Sequence, residues 1–500
     1  MNSILDRMMS PMNRLNRGAG TRFRRSAAAL LLGTSVLLAA SSLPQAAAAG
    51  SVESGKSQVK ANGKNFSVSW VKVDVTDPRL EVMPVTAARG IGYDESFSSM
   101  IAKSGAVAAV NGTFFNAYEK DASIRYPNGL LLHDGNLLHS GENQSIIVDG
   151  NKEVDIRKVN MSFSVTVTHG GKPYTFSPWG TNKDYGSGQT DQVVWFTPEF
   201  KSAIDMNGTK VVVRNGLITE ITPNAVYVPY DGFVCLIGNS SNNRNNLLPN
   251  LHVGDSVKAD LEVTENGQDI QGADTWQAAI GAGPKLLTNG KVDINPSRDG
   301  YSDPKITKQA AMRSFVGSDA AGKLVMGTVN GATMQDLAEI ALSLGMTDAM
   351  NLDGGASSGL YANGSMLTTP GRALSNALVV KKYYNPQVQV AVDGKLAGGF
   401  KGFVSGDTTM VPMRPLLDAM NANYKWDNTA HSLTLKQGDV EMVMTVGNYY
   451  IRVNGTDYWV PNPPALIDNY LYVPLRFTAE HIGAEVKWDQ RLYRADIILP

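Results

Sequence analysis

The sequence predicts an α+β chain: a large mixed-sheet domain followed by a small α+β domain made of two repeats. Three observations predict it. Short apolar or alternating runs bounded by Gly, Pro and Asn recur along most of the 500 residues, which is a strand-and-turn pattern. A few helical runs interrupt them; the clearest is Met334 to Leu344, with Leu337, Ile340, Ala341 and Leu344 at helical spacing. The C-terminal stretch repeats itself at a fixed offset. This length exceeds one ordinary core, so at least two domains are expected.

Composition narrows the class. Hydrophobic residues make up 43% and charged residues 18% of the chain, and the formal net charge is −1. That suits a folded protein and gives no basic stripe for nucleic acid, so no nucleic-acid partner is expected. Residues 1–49 read as a secretory signal: Arg22, Arg24 and Arg25 precede the apolar run Ala27 to Ala40, and Ala46 to Ala49 offer a small-residue cleavage site. The product is expected to be secreted or held at the cell surface. Cys235 is the only cysteine, so an intramolecular disulfide is impossible. Its apolar surroundings predict a buried thiol. An exported chain of this size without disulfides suits a bacterial product.

The chain then reads in order. Residues 50–65 are polar and are expected to be a flexible lead-in. Residues 66–384 form the large domain. Phe66 to Val75 alternates as a strand, with Leu80 to Val85 as its expected partner across the Asp77-Pro78 turn. Phe97 to Lys103 reads as a short helix stopped by Gly105. Ala106 to Val110 is wholly apolar, predicting burial on both faces. It delivers the polar run Asn111-Gly112-Thr113-Phe114-Phe115-Asn116, either an Asn-Gly turn or one wall of a site. Val159 to Asp274 is strand and turn, with Asn239 to Asn246 as a surface loop. Arg313 stands inside an apolar strand, where arginine is rare unless paired or facing a ligand.

The most informative stretch follows the helix and its Gly345 stop. Asn351-Leu352-Asp353-Gly354-Gly355-Ala356-Ser357-Ser358 ends a short strand with a carboxylate, two glycines and two hydroxyls. Glycines permit positive φ and close approach of a ligand, and successive N–H groups in such a turn form an anion nest. A tight turn capped by Asp is the plainer alternative. Neither a Ser-His-Asp order, a zinc spacing nor a Walker loop is evident.

Taken together, Asn111 to Asn116, Ile280-Gly281-Ala282-Gly283-Pro284, Arg313-Ser314, Asp336-Leu337-Ala338, Asn351 to Ser358, and Arg372 with Asn376-Ala377-Leu378 resemble the phosphodiester glycosidase family. The chain departs from it at Ala356, where a third glycine is common, and at Ser314, where threonine is. The resemblance implies hydrolysis of a bond joining a sugar C1 to phosphate, with a sugar phosphodiester or polysaccharide as substrate. On that reading Asp353, Asn111 and Arg372 are catalytic. Arg313, Gly112, Asn351, Gly354, Gly355, Ser357, Ser358 and Asn376 bind substrate. Arginine offers a phosphate a planar, always-charged fork. Glu95, Glu119, Asp121 and Asp348 are candidates for a second acid. No organic cofactor is implied; Asp and Asn beside a phosphate are also ligands of divalent cations, so a metal stays open. The alternative on the same fold is a non-catalytic glycan-binding or exopolysaccharide assembly protein.

Residues 385–500 carry the repeat. Val411-Pro412-Met413-Arg414 matches Val473-Pro474-Leu475-Arg476, and Lys425-Trp426-Asp427 matches Lys487-Trp488-Asp489, both at an offset of 62 positions (411 to 473, 426 to 488). This resembles the copper amine oxidase N-terminal-like domain of exported Gram-positive proteins. No copper site is expected, because His431 and His481 have no ligand neighbours in sequence. The resemblance implies an accessory module for attachment to the cell wall. Trp426 and Trp488 are expected in its core.

Overall fold

The computed structural model describes residues 50–500, apart from 122–123, 187–190 and 420–421. The signal-like segment 1–49 lies outside the described residues. The chain is strand-rich with mixed sheets, an α+β fold.

Two sheets face each other at its centre. One has seven strands, in the order Val52–Ala61, Lys64–Val73, Leu324–Ala332, Ala311–Asp319, Met346–Asn351, Lys285–Thr288 and Lys291–Val292. The other has five: Ser365–Thr368, Leu360–Ala362, Ala106–Asn111, Asn376–Lys382 and Leu80–Thr86. Strand alternation explains the layering. Val71, Val316, Met326 and Met350 of the first sheet meet Ala108, Val110, Leu378 and Val380 of the second in one core. The opposite faces, with Phe315, Val325 and Ala349 on one sheet and Ala109, Ala377 and Val379 on the other, each pack under a helix. The helices are Met334–Ser343 and Phe97–Ser104. Both faces of Ala106–Asn111 are therefore buried, as its apolar run predicts. A third sheet, of thirteen strands drawn from Leu131 to Ala282, is inserted between the two halves of this sandwich.

Local chemistry sets the ends. Gly105 ends its helix in the left-handed region at φ 66°. Thr333 and Asp336 form a reciprocal capping box on Met334–Ser343. The same carboxylate accepts from Asn62 Nδ2 at 3.0 Å and lies 3.4 Å from Lys64 Nζ, tying the first hairpin to the helix.

Four expectations are corrected. The lead-in 50–65 is not flexible: Val52–Ala61 is a ten-residue strand paired with Lys64–Val73 through an Asn62-Gly63 turn. Its mostly polar residues hid it, because only Val59 and Ala61 turn fully inward. Leu80–Thr86 does not pair with the strand before it; it joins the other sheet beside Asn376–Lys382. Asn239 to Asn246 is not simply a loop, since Asn243–Leu247 forms a π-helical turn with Asn243 buried. Trp488 is 39% exposed rather than core.

In the C-terminal part the two copies keep their offset. Helices Met413–Ala419 and Leu475–His481 follow strands Thr408–Pro412 and Tyr470–Pro474, which pair with each other. The copies share one hydrophobic core running from Val388 to Ile497. Cys235 is buried, and burial pushes its thiol up to about 12.

Candidate active site

The site forms where strands of the two facing sheets end. Met346–Asn351 runs into Asp353 and a single turn of 3-10 helix, Gly355–Ser357. Ala106–Asn111 runs into Gly112. Asn111 Nδ2 donates to the Asp353 carbonyl at 2.7 Å, and Asn111 Oδ1 accepts from Gly359 N–H at 3.0 Å. Asp353 N–H donates to the Gly112 carbonyl at 3.2 Å. Asn376 Oδ1 accepts from Thr113 N–H at 2.8 Å. Only glycine fits at 112, because a Cβ there would fall 1.9 Å from Asn376 Oδ1. Gly355 sits at φ 62°, which lets the chain turn sharply after the carboxylate.

The Asp353 carboxylate is half-buried. Loss of hydration pushes it up to about 6, against the opposing pull of the Ser357 hydroxyl, the Gly354 N–H and Arg372. Gly354 N–H donates to Oδ1 at 2.9 Å. Arg372 Nη2 donates to Tyr118 Oη at 3.1 Å, with the guanidinium 5.0 Å from the ring centroid. Arg372, helped by Lys305, lowers the Tyr118 phenol, and Asp353 opposes them. Asp353, Arg372, Tyr118 and Lys305 therefore share one electrostatic neighbourhood.

Sequence reasoning did not find Tyr118 or Lys305. Tyr118 lies two residues beyond the Asn111 to Asn116 run, which was its only signal. Lys305 had none. Its segment, the short helix Pro304–Thr307, is positioned by Arg313. Arg313 departs from the expected phosphate ligand: it is buried, and its Nε and Nη2 donate to the carbonyls of Ala332 (3.1 Å), Lys305 (3.0 Å) and Gln309. Asn111 departs from a catalytic role for the same reason. Only 1% exposed, it spends both amide ends on backbone and positions the Asp353 loop. Asn376 is also a positioning group.

Asn351 Nδ2 donates to the Gly283 carbonyl at 2.8 Å. Its Oδ1, with Ser358 Oγ, Ser314 Oγ and Thr113 Oγ1, is buried without a hydrogen-bond partner. Unsatisfied polar atoms are costly and concentrate where a ligand or water completes them. Of the candidate second acids, Glu95 is bound to Ala88 N–H, Ser99 and Lys103, and Asp348 accepts from Asn289 N–H. Glu119 and Asp121 sit on the Tyr118 loop.

Two clusters elsewhere have metal-ligating groups, among the described residues: His169, His252 and Asp255, and Glu81, His133 and Asp134. Neither includes a residue of the Asp353 site.

Fold and site define a strand-rich α+β chain whose glycine-rich strand end carries one carboxylate within electrostatic reach of Arg372. Comparison with known proteins places it further. Residues 207–381 match the family model "Phosphodiester glycosidase", and residues 391–496 match "Copper amine oxidase N-terminal domain". Both resemblances drawn from the motifs are thus found. The first match includes Asn351 to Ser358, Arg313, Arg372 and Asn376, while Asn111 and Gly112 precede it. A search of curated proteins finds no match.

Among solved structures, a hypothetical protein from Synechocystis shares 21% identity at a TM-score of 0.56, covering 67% of this chain and 62% of its own. This chain thus spans less than two thirds of that relative's length. A protein from Burkholderia pseudomallei K96243, named only as a candidate exported protein, shares 18% identity at a TM-score of 0.52, covering 63% of this chain and 74% of its own. At these identities the likeness is one of fold. The catalytic domain of zebrafish N-acetylglucosamine-1-phosphodiester alpha-N-acetylglucosaminidase matches at a TM-score of 0.33 and 14% identity, too distant to carry an argument.

Proposed function

We propose that this protein is an exported glycosidase that hydrolyses a sugar-1-phosphodiester of the N-acetylglucosamine type in cell-envelope or extracellular polysaccharide. The observation that carries the reading is the Asp353 carboxylate, held by the Gly354 N–H in a glycine loop and raised by burial to about 6 within electrostatic reach of Arg372. The phosphodiester glycosidase match over residues 207–381 supports the reaction class. Export rests on the N-terminal signal pattern.

Arg372 and Lys305 receive the phosphodiester anion, because arginine and lysine side chains pair with phosphate oxygens. Asp353, ionised above about pH 6, takes a proton from a water attacking C1. The water oxygen bonds to C1, and the C1–O bond breaks. Its electron pair leaves on the phosphate, which needs little help from an acid. Asn351, Ser357 and Ser358 line the loop that faces the sugar, and Gly354 and Gly355 allow the close approach. The large domain takes in the strand Val52–Ala61 and runs to 384; residues 385–500 form the second domain, which serves attachment to the cell wall.

The test is incubation of the mature chain with N-acetylglucosamine-1-phosphodiesters and assay of free sugar. Release by the wild type and none by Asp353→Asn is the expected result. No release from any sugar phosphodiester, together with saturable polysaccharide binding, would instead favour a non-catalytic glycan-binding protein. The exposed aromatic side chains of the C-terminal part give that second reading its support.

A further inference from the structure

The C-terminal part holds a cleft of about 430 Å³ that no step above uses. It opens between the start of strand Thr408–Pro412, the first turns of helix Leu475–His481 and strand Glu485–Asp489. Trp459 and Trp488 line it, 61% and 39% exposed. Large aromatics left open inside one cleft mark a binding site more often than a solvated surface. The Trp488 indole N–H is already donated to Gln490 Oε1 at 3.0 Å. What that ring offers a ligand is its face.

The polar groups beside the indoles narrow the ligand. Arg476 Nη1 and Glu480 Oε1 lie 3.7 Å apart on the helix, and Thr408 adds a hydroxyl. Asp407 also lines the cleft, so one arginine faces two carboxylates and the cleft does not select an anion. A purely hydrocarbon ligand would leave that donor and acceptor unmatched. A pyranose ring matches both features: its C–H face lies on an aromatic ring, and its edge hydroxyls donate and accept.

The repeat shows that this cleft is not a by-product of the fold. Arg476, Glu480 and Trp488 recur 62 positions earlier as Arg414, Asp418 and Trp426. In that copy Trp426 packs against the shared core. Where the second copy has Trp459, the first has Ala397 and Gly398. The two-tryptophan arrangement therefore arises once.

We propose that this cleft binds an uncharged stretch of polysaccharide, with pyranose rings on Trp459 and Trp488 and their hydroxyls on Arg476 and Glu480. The inference does not depend on the hydrolytic reading. The experiment uses the mature chain carrying Asp353→Asn, so that no probe is consumed. It is titrated with a β-linked N-acetylglucosamine tetramer and with maltotetraose, by calorimetry and tryptophan fluorescence. The expected result is saturable binding of at least one tetramer, weakened at least tenfold by adding Trp459→Ala. Trp459 is mostly exposed, so the substitution leaves the fold intact, which circular dichroism checks. Trp459→Ala alone should leave sugar release from a small soluble phosphodiester unchanged. Absence of binding to both tetramers, or equal affinity after Trp459→Ala, would overturn the proposal.

Discussion

Asn111 Nδ2 and the carbonyl of Asp353 lie 2.7 Å apart although 242 positions separate them. That bond joins the two facing sheets at the point where the carboxylate emerges. Because Asn111 is buried and its other end holds Gly359 N–H, it acts through the Asp353 loop. Asn111→Ala strands a partly buried carbonyl and a buried N–H. The expected cost is about 1–3 kcal/mol of stability, read by denaturant melts. The turnover number should fall further than KM changes, since the loop is displaced while Arg372 is untouched. A KM-only effect would place Asn111 against substrate.

Asp353 predicts the pH profile. Its folded value is raised to about 6 from an ordinary 3.8. As a base it works only when ionised, so kcat/KM should climb through about pH 6 and level off above it. Asp353→Asn should lower kcat by about 10²–10⁴-fold. Linkage adds a second readout with a definite sign. A raised folded value means the native state favours the protonated form, so that contribution is fully present below pH 3.8 and lost as pH rises through about 6. Asp353→Asn should therefore be more stable than wild type at pH 8, by roughly 1–2 kcal/mol after allowance for its partial exposure, and not more stable at pH 3.5. An activity that falls with rising pH near 6 would make Asp353 an acid instead.

Arg372 and Tyr118 should separate by kinetics. Arg372→Lys replaces a planar fork with a point charge and loses the hydrogen bond to Tyr118 Oη. The expected effect is a rise in KM of about tenfold, equivalent to one charge-assisted hydrogen bond. Tyr118→Phe removes only the hydroxyl and should cost less. Steady-state kinetics on one phosphodiester substrate checks both, and unchanged constants in Arg372→Lys would reject its phosphate role.

Much of this architecture was legible because burial writes a period into a sequence. Ala106 to Val110 and Met334 to Leu344 carry their environments in their apolar spacing, and the 62-residue offset returned as matching helices and strands. Val52–Ala61 was not legible, because an edge strand with one mostly polar face resembles a loop. The partner of Leu80–Thr86 was hidden too, since pairing across hundreds of residues leaves no local trace. At the candidate site, Asp353 and Arg372 are proposed from residue type and motif. Arg313 and Asn111 shared those motifs, but a motif cannot tell a side chain that meets substrate from one that holds the backbone beneath it. Tyr118 and Lys305 enter through loop placement, which sequence spacing does not encode.

Lys401 predicts how the C-terminal part is held. Its Nζ lies 2.8 Å from Asp134 Oδ1 and 3.8 Å from Glu81 Oε1, and its carbonyl accepts from Tyr472 Oη at 3.2 Å. Glu81 also accepts from Tyr383 Oη and has His133 Nε2 at 3.4 Å. Burial opposes the charge on Glu81, but His133, Lys401 and Tyr383 win and draw it down to about 2. A depressed carboxylate gives stability that is present above its unfolded value of 4.5 and lost as pH falls toward about 2. Lys401→Met removes the cation while keeping the stem, leaving two buried carboxylates without it. The expected loss is about 3 kcal/mol at pH 7, shrinking as acid neutralises Glu81. Thermal melts from pH 7 to pH 3 check the prediction. A loss that grows on acidification, or none at pH 7, would show that other contacts dock the repeat. Sugar release from a small phosphodiester should be unchanged in this variant at temperatures where it stays folded, because none of these groups lies in the Asp353 neighbourhood.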